Sequence, residues 1–319
     1  MTRLGYQIPN FTYPSGTNIF QSVISQAQAA EAAGFDRVFV MDHFYQLPGL
    51  GAPEEPMLEC YTMLSAIAQH TKSVRLSSLV TGNTYRNPTL LAKTITALDH
   101  VSNGRATLGI GAGWFELEHD SLGYEFGTFT DRFEKLEEAL QIIKPMLSGE
   151  KISFSGKHYS VTDAVNSPEP ISQIPIMIGG SGEKKTLRMV AQYANESNLS
   201  RGTAQEIPQK LDALAAHCER LGRNRAEIKV TKLVMCCVAP TMEEAQADVK
   251  ALSGAKNWTD EVMQMLPHML IFGDPDTVGE KLQELMSTGI DGLTINLPVN
   301  GHNTDRIGLL GQVANAAIG

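Results

Sequence analysis

The chain has 319 residues and a formal net charge of −9 at pH 7, with 42% apolar and 19% charged residues. That balance argues against a nucleic-acid or anionic-membrane surface, although a local positive field can still hold an anionic small molecule. No apolar run approaches the roughly 20 residues of a membrane helix, and the opening MTRLGYQIPN lacks a signal-peptide apolar core, so a cytoplasmic protein is expected.

In chain order, short apolar runs alternate with amphipathic helical patterns. LGYQI (4–8) is the first strand; Ile19, Val23, Ala27 and Ala30 then share one helical face that stops at Gly34. RVFVM (37–41), rich in β-branched and aromatic residues, is the second strand, followed by a helix over 57–69. VRLSSLV (74–80) precedes a helix over 89–101 in which Leu91, Ile95, Leu98 and Val101 form a buried stripe. RATLGI (105–110) is the fourth strand, and the helix over 131–147 turns Phe133, Leu136, Leu140, Ile143 and Leu147 inward. KISFSGKHYSV (151–161) has the pattern of a hairpin turning at Ser155–Gly156, inside an insertion near 150–174. IPIMI (174–178), ESNL (196–199), IKVTKLVMCCV (228–238) and LTINL (293–297) complete eight strands. Helices are expected over 182–194, 204–220, 242–252, 275–287 and 303–316, with an extra short helix and a loose connection near 254–272.

Eight strand–helix alternations favour a closed α/β barrel of the (β/α)8 type over an open doubly wound sheet, which normally needs about six strands. No Pro/Gly/Ser tract or charge block divides residues 1–319, so one domain is expected. The four cysteines have neither disulfide nor metal-ligand spacing; Cys236 and Cys237 are neighbours on a strand and read as two core thiols. His43, His119 and His158 show no metal spacing either, and no metal is expected.

The stretch RATLGIGAGWFELEHDSLGY (105–124) carries three alternate glycines, Gly109, Gly111 and Gly113. The G-x-G-x-x-G dinucleotide pattern fails, because its third position falls on Trp114 or Glu116. The loop follows the fourth strand, on the barrel face where active sites sit. Its glycines either let a flat ligand approach the backbone or only turn the chain, and the Trp and Glu–His cluster behind them favours the ligand. Asp42 and His43 end the second strand, either as a proton-transfer pair or as a loop cap beside a core histidine. Gly179, Gly180 and Ser181 open the helix after IPIMI, with Lys184, Lys185 and Arg188 nearby, which suits a phosphate at a helix N-terminus. TGNTYRNP (81–88) reads only as a helix start containing Arg86.

The blocks MDHF, TGNTYRNPTLLAKTITALDHVSNGRATLGIGAGWFELEHDSLGYEF, RFEKLEEALQIIKPML, FSGKHYS, IPIMIGGSGEKKTLRMVAQYAN and FGDPDTVGEKLQELMSTGIDGLTINL together resemble the luciferase-like monooxygenase family, in particular its coenzyme F420-dependent oxidoreductases. The resemblance implies a TIM-like barrel, a homodimer, and a flavin or deazaflavin on the C-terminal face. It implies a bulge at the end of the third strand with a non-prolyl cis peptide, by position Ser78–Leu79, behind the cofactor ring. Asp42 and His43 then lie beside the reactive ring, Thr81 near the pyrimidine, Gly111, Gly113 and Glu118 around the cofactor's middle, and Ile178, Gly179, Gly180 and Ser181 at its phosphate. Trp114 joins the cofactor and pocket wall, in the place where a sugar-phosphate-oxidising branch has a catalytic Glu, so that substrate is not carried over. YANESNL departs from the family pattern and leaves Asn198 as a further contact; in VSNGR an Asn takes a turn position that it tolerates better than most residues.

The expected activity is hydride transfer between F420 and a small, largely apolar organic substrate, with His43 as proton donor or acceptor oriented by Asp42, and Glu118 as the second candidate. Two alternatives stand beside it: an FMN-dependent monooxygenase with a flavin reductase partner, and a barrel that binds cofactor without turnover.

Overall fold

The computed structural model describes residues 4–255 and 269–319. The elements in chain order are β1 Leu4–Ile8, α1 Ile19–Ala32, β2 Arg37–Val40, α2 Cys60–His70, β3 Arg75–Ser78, β4 Thr81–Gly82, α3 Pro88–Val101 and β5 Ala106–Gly111. Then come α4 Glu116–Leu122, α5 Phe129–Leu147, β6 Ile152–Ser155, β7 Ser160–Ala164, β8 Ile176–Gly179, α6 Thr186–Tyr193, β9 Glu196–Leu199 and α7 Ile207–Arg220. The chain closes with β10 Lys229–Val238, α8 Met242–Ala255, β11 Leu270–Gly273, α9 Pro275–Met286, β12 Gly292–Asn296 and α10 Thr304–Ile318.

Parallel pairing runs β1–β2–β3–β5–β8–β9–β10–β12 and returns to β1, so the sheet is a closed (β/α)8 barrel. All eight expected strands are in it, including the four-residue ESNL strand. Leu4, Tyr6 and Ile8 pack outward into the layer shared with the helices, while Gly5 and Gln7, at the alternate positions, face the barrel interior. The β6–β7 hairpin pairs only with itself, within the expected insertion.

The structure differs from expectation at β10 and at the end of α3. β10 pairs with β9 over Lys229–Lys232 and with β11 over Met235–Val238, so a ninth parallel strand follows where β9 ends. Of the stretch near 254–272, where an extra short helix is expected, residues 256–268 lie outside the described residues, and Leu270–Gly273 at its end is strand. In the α3 stripe Leu91, Ile95 and Leu98 are buried, whereas Val101 at the C-terminal end is exposed. Other details agree: Asn103 adopts φ 56°, as its turn requires. Cys236 and Cys237 are buried in two different apolar clusters. No described helix is long and apolar enough to cross a membrane.

One ion pair ties the barrel interior across its N-terminal end. The Arg37 guanidinium, from the start of β2, meets both Glu196 oxygens, from the start of β9, at 2.7 and 2.9 Å. Arg37 is 1% exposed, so neither charge can be left alone without a large desolvation cost. Arg37→Leu is expected to destabilise the protein by about 3–5 kcal/mol, and Arg37→Leu with Glu196→Leu to recover most of that loss. Urea unfolding checks this; a double variant as unstable as the single one would contradict it.

Candidate active site

The β3 strand carries one extra residue at its C-terminal end. From Ser77 to Thr81 is four steps, while their partners Thr107 and Ile110 on β5 are three apart. The extra residue makes a bulge at Leu79 and Val80. The non-prolyl cis peptide is Leu79–Val80, one residue later than the position expected from the resemblance.

The bulge explains the alternate glycines. A Cβ on Gly109 would lie 2.1 Å from the Ser78 carbonyl oxygen, and one on Gly111 would lie 2.9 Å from Val80 Cγ2. A Cβ on Gly179 would meet the other Val80 methyl at 2.8 Å, and one on Gly113, at φ +81°, would meet Thr84 Oγ1 at 2.6 Å. The glycines therefore make room for the protein's own bulge and its following turn. A ligand is not needed to account for them.

Hydroxyls brace the bulge from below. Ser78 Oγ donates to the Gly109 carbonyl at 2.9 Å and lies 2.7 Å from Thr81 Oγ1, which also bonds the buried Tyr61 hydroxyl. Each hydroxyl has one proton, so the Ser78 bond to Gly109 leaves Thr81 donating to Ser78 and Tyr61 donating to Thr81. Arg86 stands 4.6 Å over the Tyr61 ring. It also clasps Asp42 at 2.6 and 3.1 Å and Glu59 at 2.8 Å. Burial raises the Asp42 carboxyl above its usual range, against the pull of Arg86. Asp42 thus bonds Arg86 and does not orient His43.

The partner of His43 is Glu118. His43 Nδ1 lies 2.9 Å from Glu118 Oε2, and the same oxygen accepts from the Tyr85 hydroxyl at 2.5 Å. Glu118 Oε1 accepts the backbone N–H of Phe44 at 2.5 Å and of Tyr45 at 2.9 Å. Burial pushes the Glu118 carboxyl up, but the His43, Tyr85 and Tyr45 hydrogen bonds outweigh it and hold the group below its ordinary value. An ionised carboxylate only accepts, so His43 Nδ1–H donates to Glu118 and Nε2 is the ring nitrogen that this bond leaves open. Nε2 has no partner among the described residues. The imidazole is flanked edge-to-face by Trp114 at 5.8 Å and Phe115 at 5.9 Å.

His119, next to Glu118, has a structural role. Its Nδ1 lies 2.8 Å from the Phe115 carbonyl and its Nε2 2.7 Å from Thr84 Oγ1, which leaves a buried and fully bonded ring.

The loops after β8 and β9 carry the remaining residues singled out in the sequence. α6 begins at Thr186, four residues later than expected, so Gly179–Ser181 form a loop ahead of the helix. Ile178 is buried in the main core, and Gly180 N–H donates to the Asn198 carbonyl at 3.0 Å. Ser181 Oγ donates to the Arg201 carbonyl at 3.0 Å and accepts from Arg201 N–H at 2.8 Å, which latches the two loops together. The Asn198 amide donates to Thr231 and Thr294 inside the barrel at 2.9 and 3.1 Å. Arg188 is taken by Glu137 at 2.6 and 2.9 Å, and Lys185 sits over the rings of Phe129 and Phe133 at 5.0 and 5.4 Å. Lys184 and Arg201 are exposed, and neither side chain is paired among the described residues.

Tyr85, the Asp42–Arg86 clasp and Arg201 were missed in the sequence. TGNTYRNP carried the first two, but nothing in its spacing says that the turn folds back onto 42–45. Among the described residues, Asp131, Glu134 and His158 could bring three ligand atoms within 4.8 Å of one another. The Lys157 ammonium already lies 2.7 Å from Glu134 and 3.5 Å from Asp131, so that cluster is an ion-pair network.

The model of luciferase-like monooxygenases matches residues 2–292. The chain belongs to that family. An F420-dependent glucose-6-phosphate dehydrogenase of Microbacterium testaceum is 27% identical over 300 residues, covering 87% of each chain. A 5,10-methylenetetrahydromethanopterin reductase of Archaeoglobus fulgidus is 25% identical over 323 residues, covering 89% of this chain and 91% of that one. Among solved structures, an F420-dependent secondary alcohol dehydrogenase in complex with an F420–acetone adduct superposes with a TM-score of 0.81 at 19% identity, covering 100% of this chain and 99% of that one. The barrel with its β3 bulge is thus this family member's version of a shared fold.

The glycine assignment predicts a rank order. Gly109→Ala drives a methyl into a backbone carbonyl and is expected to cost at least about 2–3 kcal/mol. Gly111→Ala meets only the tip of Val80 and should cost less. Thermal unfolding of both variants checks the order, and equal losses would contradict it.

Proposed function

We propose that this protein is an oxidoreductase that transfers a hydride between the deazaflavin coenzyme F420 and a carbon of a small organic substrate. The single observation that carries the reading is the His43–Glu118–Tyr85 constellation, at the mouth of a barrel whose relatives include F420-dependent dehydrogenases and reductases.

The residues present fit the cofactor. Leu79 and Val80 give the bulge an apolar surface suited to one face of a flat ring, packed with Phe39 and Met177 beneath. Lys184, Lys185 and Arg201 supply positive charge on adjoining loops of an otherwise acidic chain, which suits a phosphate and a glutamate tail. When bound, the deazaflavin supplies a ring carbon that donates or accepts hydride.

The chain's own part is proton handling and positioning. Oxidation of an alcohol releases a hydroxyl proton as the carbon gives up hydride, and reduction of the ketone needs that proton back. His43 Nε2 is placed to take it or return it, while Nδ1–H remains on Glu118. Glu118 stays ionised and stabilises the imidazolium that forms. Tyr85 and the two backbone N–H groups keep that carboxylate fixed, so the imidazole holds one tautomer and one orientation. Asp42, held by Arg86, anchors the strand end that carries His43.

His43→Ala is expected to lower turnover between about a hundred- and ten-thousandfold while leaving F420 affinity nearly unchanged. Glu118→Gln, which keeps the size but removes the charge, should fall between the variant and the wild type. The deazaflavin absorbance change with secondary alcohols and their ketones measures both. Comparable losses of binding and turnover in His43→Ala would assign His43 a structural role instead.

A further inference from the structure

Trp114 takes no part in the proton handling of His43, Glu118 and Tyr85. It is the first residue after Gly113 in the loop between β5 and α4, and 58% of it is exposed although it is one of the largest apolar side chains. Its position is held: the indole stacks on Phe115 at 5.2 Å with an interplanar angle of 26°, and Phe115 is buried. Both rings stand edge-on to His43. An exposed, fixed aromatic face beside the only unpartnered nitrogen of the proposed proton carrier is a surface that lacks a partner of its own.

The charges around that face limit what can cover it. Glu118 beneath His43 is ionised, and Arg86 is engaged by Asp42 and Glu59. An anionic group at the reacting end would meet a carboxylate and find Arg86 already engaged. A flat, uncharged group would gain stacking against the indole and bury its exposed area.

We propose that Trp114 is the specificity-determining residue of the site, and that the substrate carries an aryl or conjugated planar group on its reacting carbon, stacked on the Trp114 indole. The pair is then an aryl ketone and the corresponding secondary alcohol, joined by hydride at carbon and a proton at oxygen. This inference rests on the oxidoreductase reading for its chemistry, but its geometry does not depend on which cofactor is bound.

The test compares acetophenone with cyclohexyl methyl ketone, which has a similar size and polarity but no flat face. Their dissociation constants are measured by calorimetry on the F420-loaded chain, on the chain alone, and on Trp114→Ala and Trp114→Phe. Acetophenone should bind about three- to tenfold more tightly than its cyclohexyl counterpart, the range expected of an aromatic pair beyond its buried area. The gap should vanish in Trp114→Ala and persist in Trp114→Phe. Trp114 is largely exposed, so neither substitution endangers the fold. Equal affinities in the wild type, a gap that survives Trp114→Ala, or tighter binding of glucose 6-phosphate than of either ketone would overturn the proposal. If the ketones behave as expected and F420 does not bind, the cofactor reading fails and this one stands; if F420 binds and the gap is absent, the reverse holds.

Discussion

The site depends on satisfying one buried carboxylate. Glu118 is fully buried, and a buried charge without partners would cost several kcal/mol or change its protonation state. Its two oxygens are met from two strand ends, by His43 and the N–H groups of Phe44 and Tyr45 after β2 and by Tyr85 after the β3 bulge, while Glu118 itself comes from the helix after β5. That constraint sets the spacing of the loops at one side of the mouth. It also selects the tautomer that leaves His43 Nε2 open.

The second constraint is room. The chain turns an extra residue of β3 into the barrel, and bare backbone at Gly109, Gly111 and Gly179 accepts it. The bulge and the carboxylate hub are linked through Tyr85, since Gly82 lies directly against its ring. Below them, the Asp42–Arg86 clasp and the Tyr61–Thr81–Ser78 hydroxyl chain tie β2, α2 and β3 together. A site of this kind is preorganised by the barrel and needs little rearrangement to present its groups.

Much of the barrel was legible in the sequence, because buried parallel strands read as short apolar runs between helical stripes. ESNL was legible only by its place in the alternation. LIFG at 270–273 was not read as a strand, since periodicity over four residues cannot separate strand from helix, and its pairing to β10 exists only because β10 outruns β9. His43 and Glu118 were legible as residues but not as a pair, since 75 positions separate them and the fold brings them together. Adjacency in sequence suggested Asp42 as the partner of His43; both lie just past the end of β2, where Asp42 turns to Arg86 and His43 to Glu118. The glycines of RATLGIGAG stood out in the sequence, but that they accommodate the protein's own bulge depends on a strand that leaves no local signal on β5.

A deazaflavin at the mouth of this barrel would place its anionic tail within the field of Lys184 and Arg201. Paired titration of the purified protein with F420 and with FMN, followed by fluorescence quenching at two ionic strengths, tests it most directly. F420 is expected to bind at least about tenfold more tightly, with the preference narrowing as salt screens the exposed cations. Equal or tighter binding of FMN would contradict the account and move the protein to the flavin-dependent side of its family.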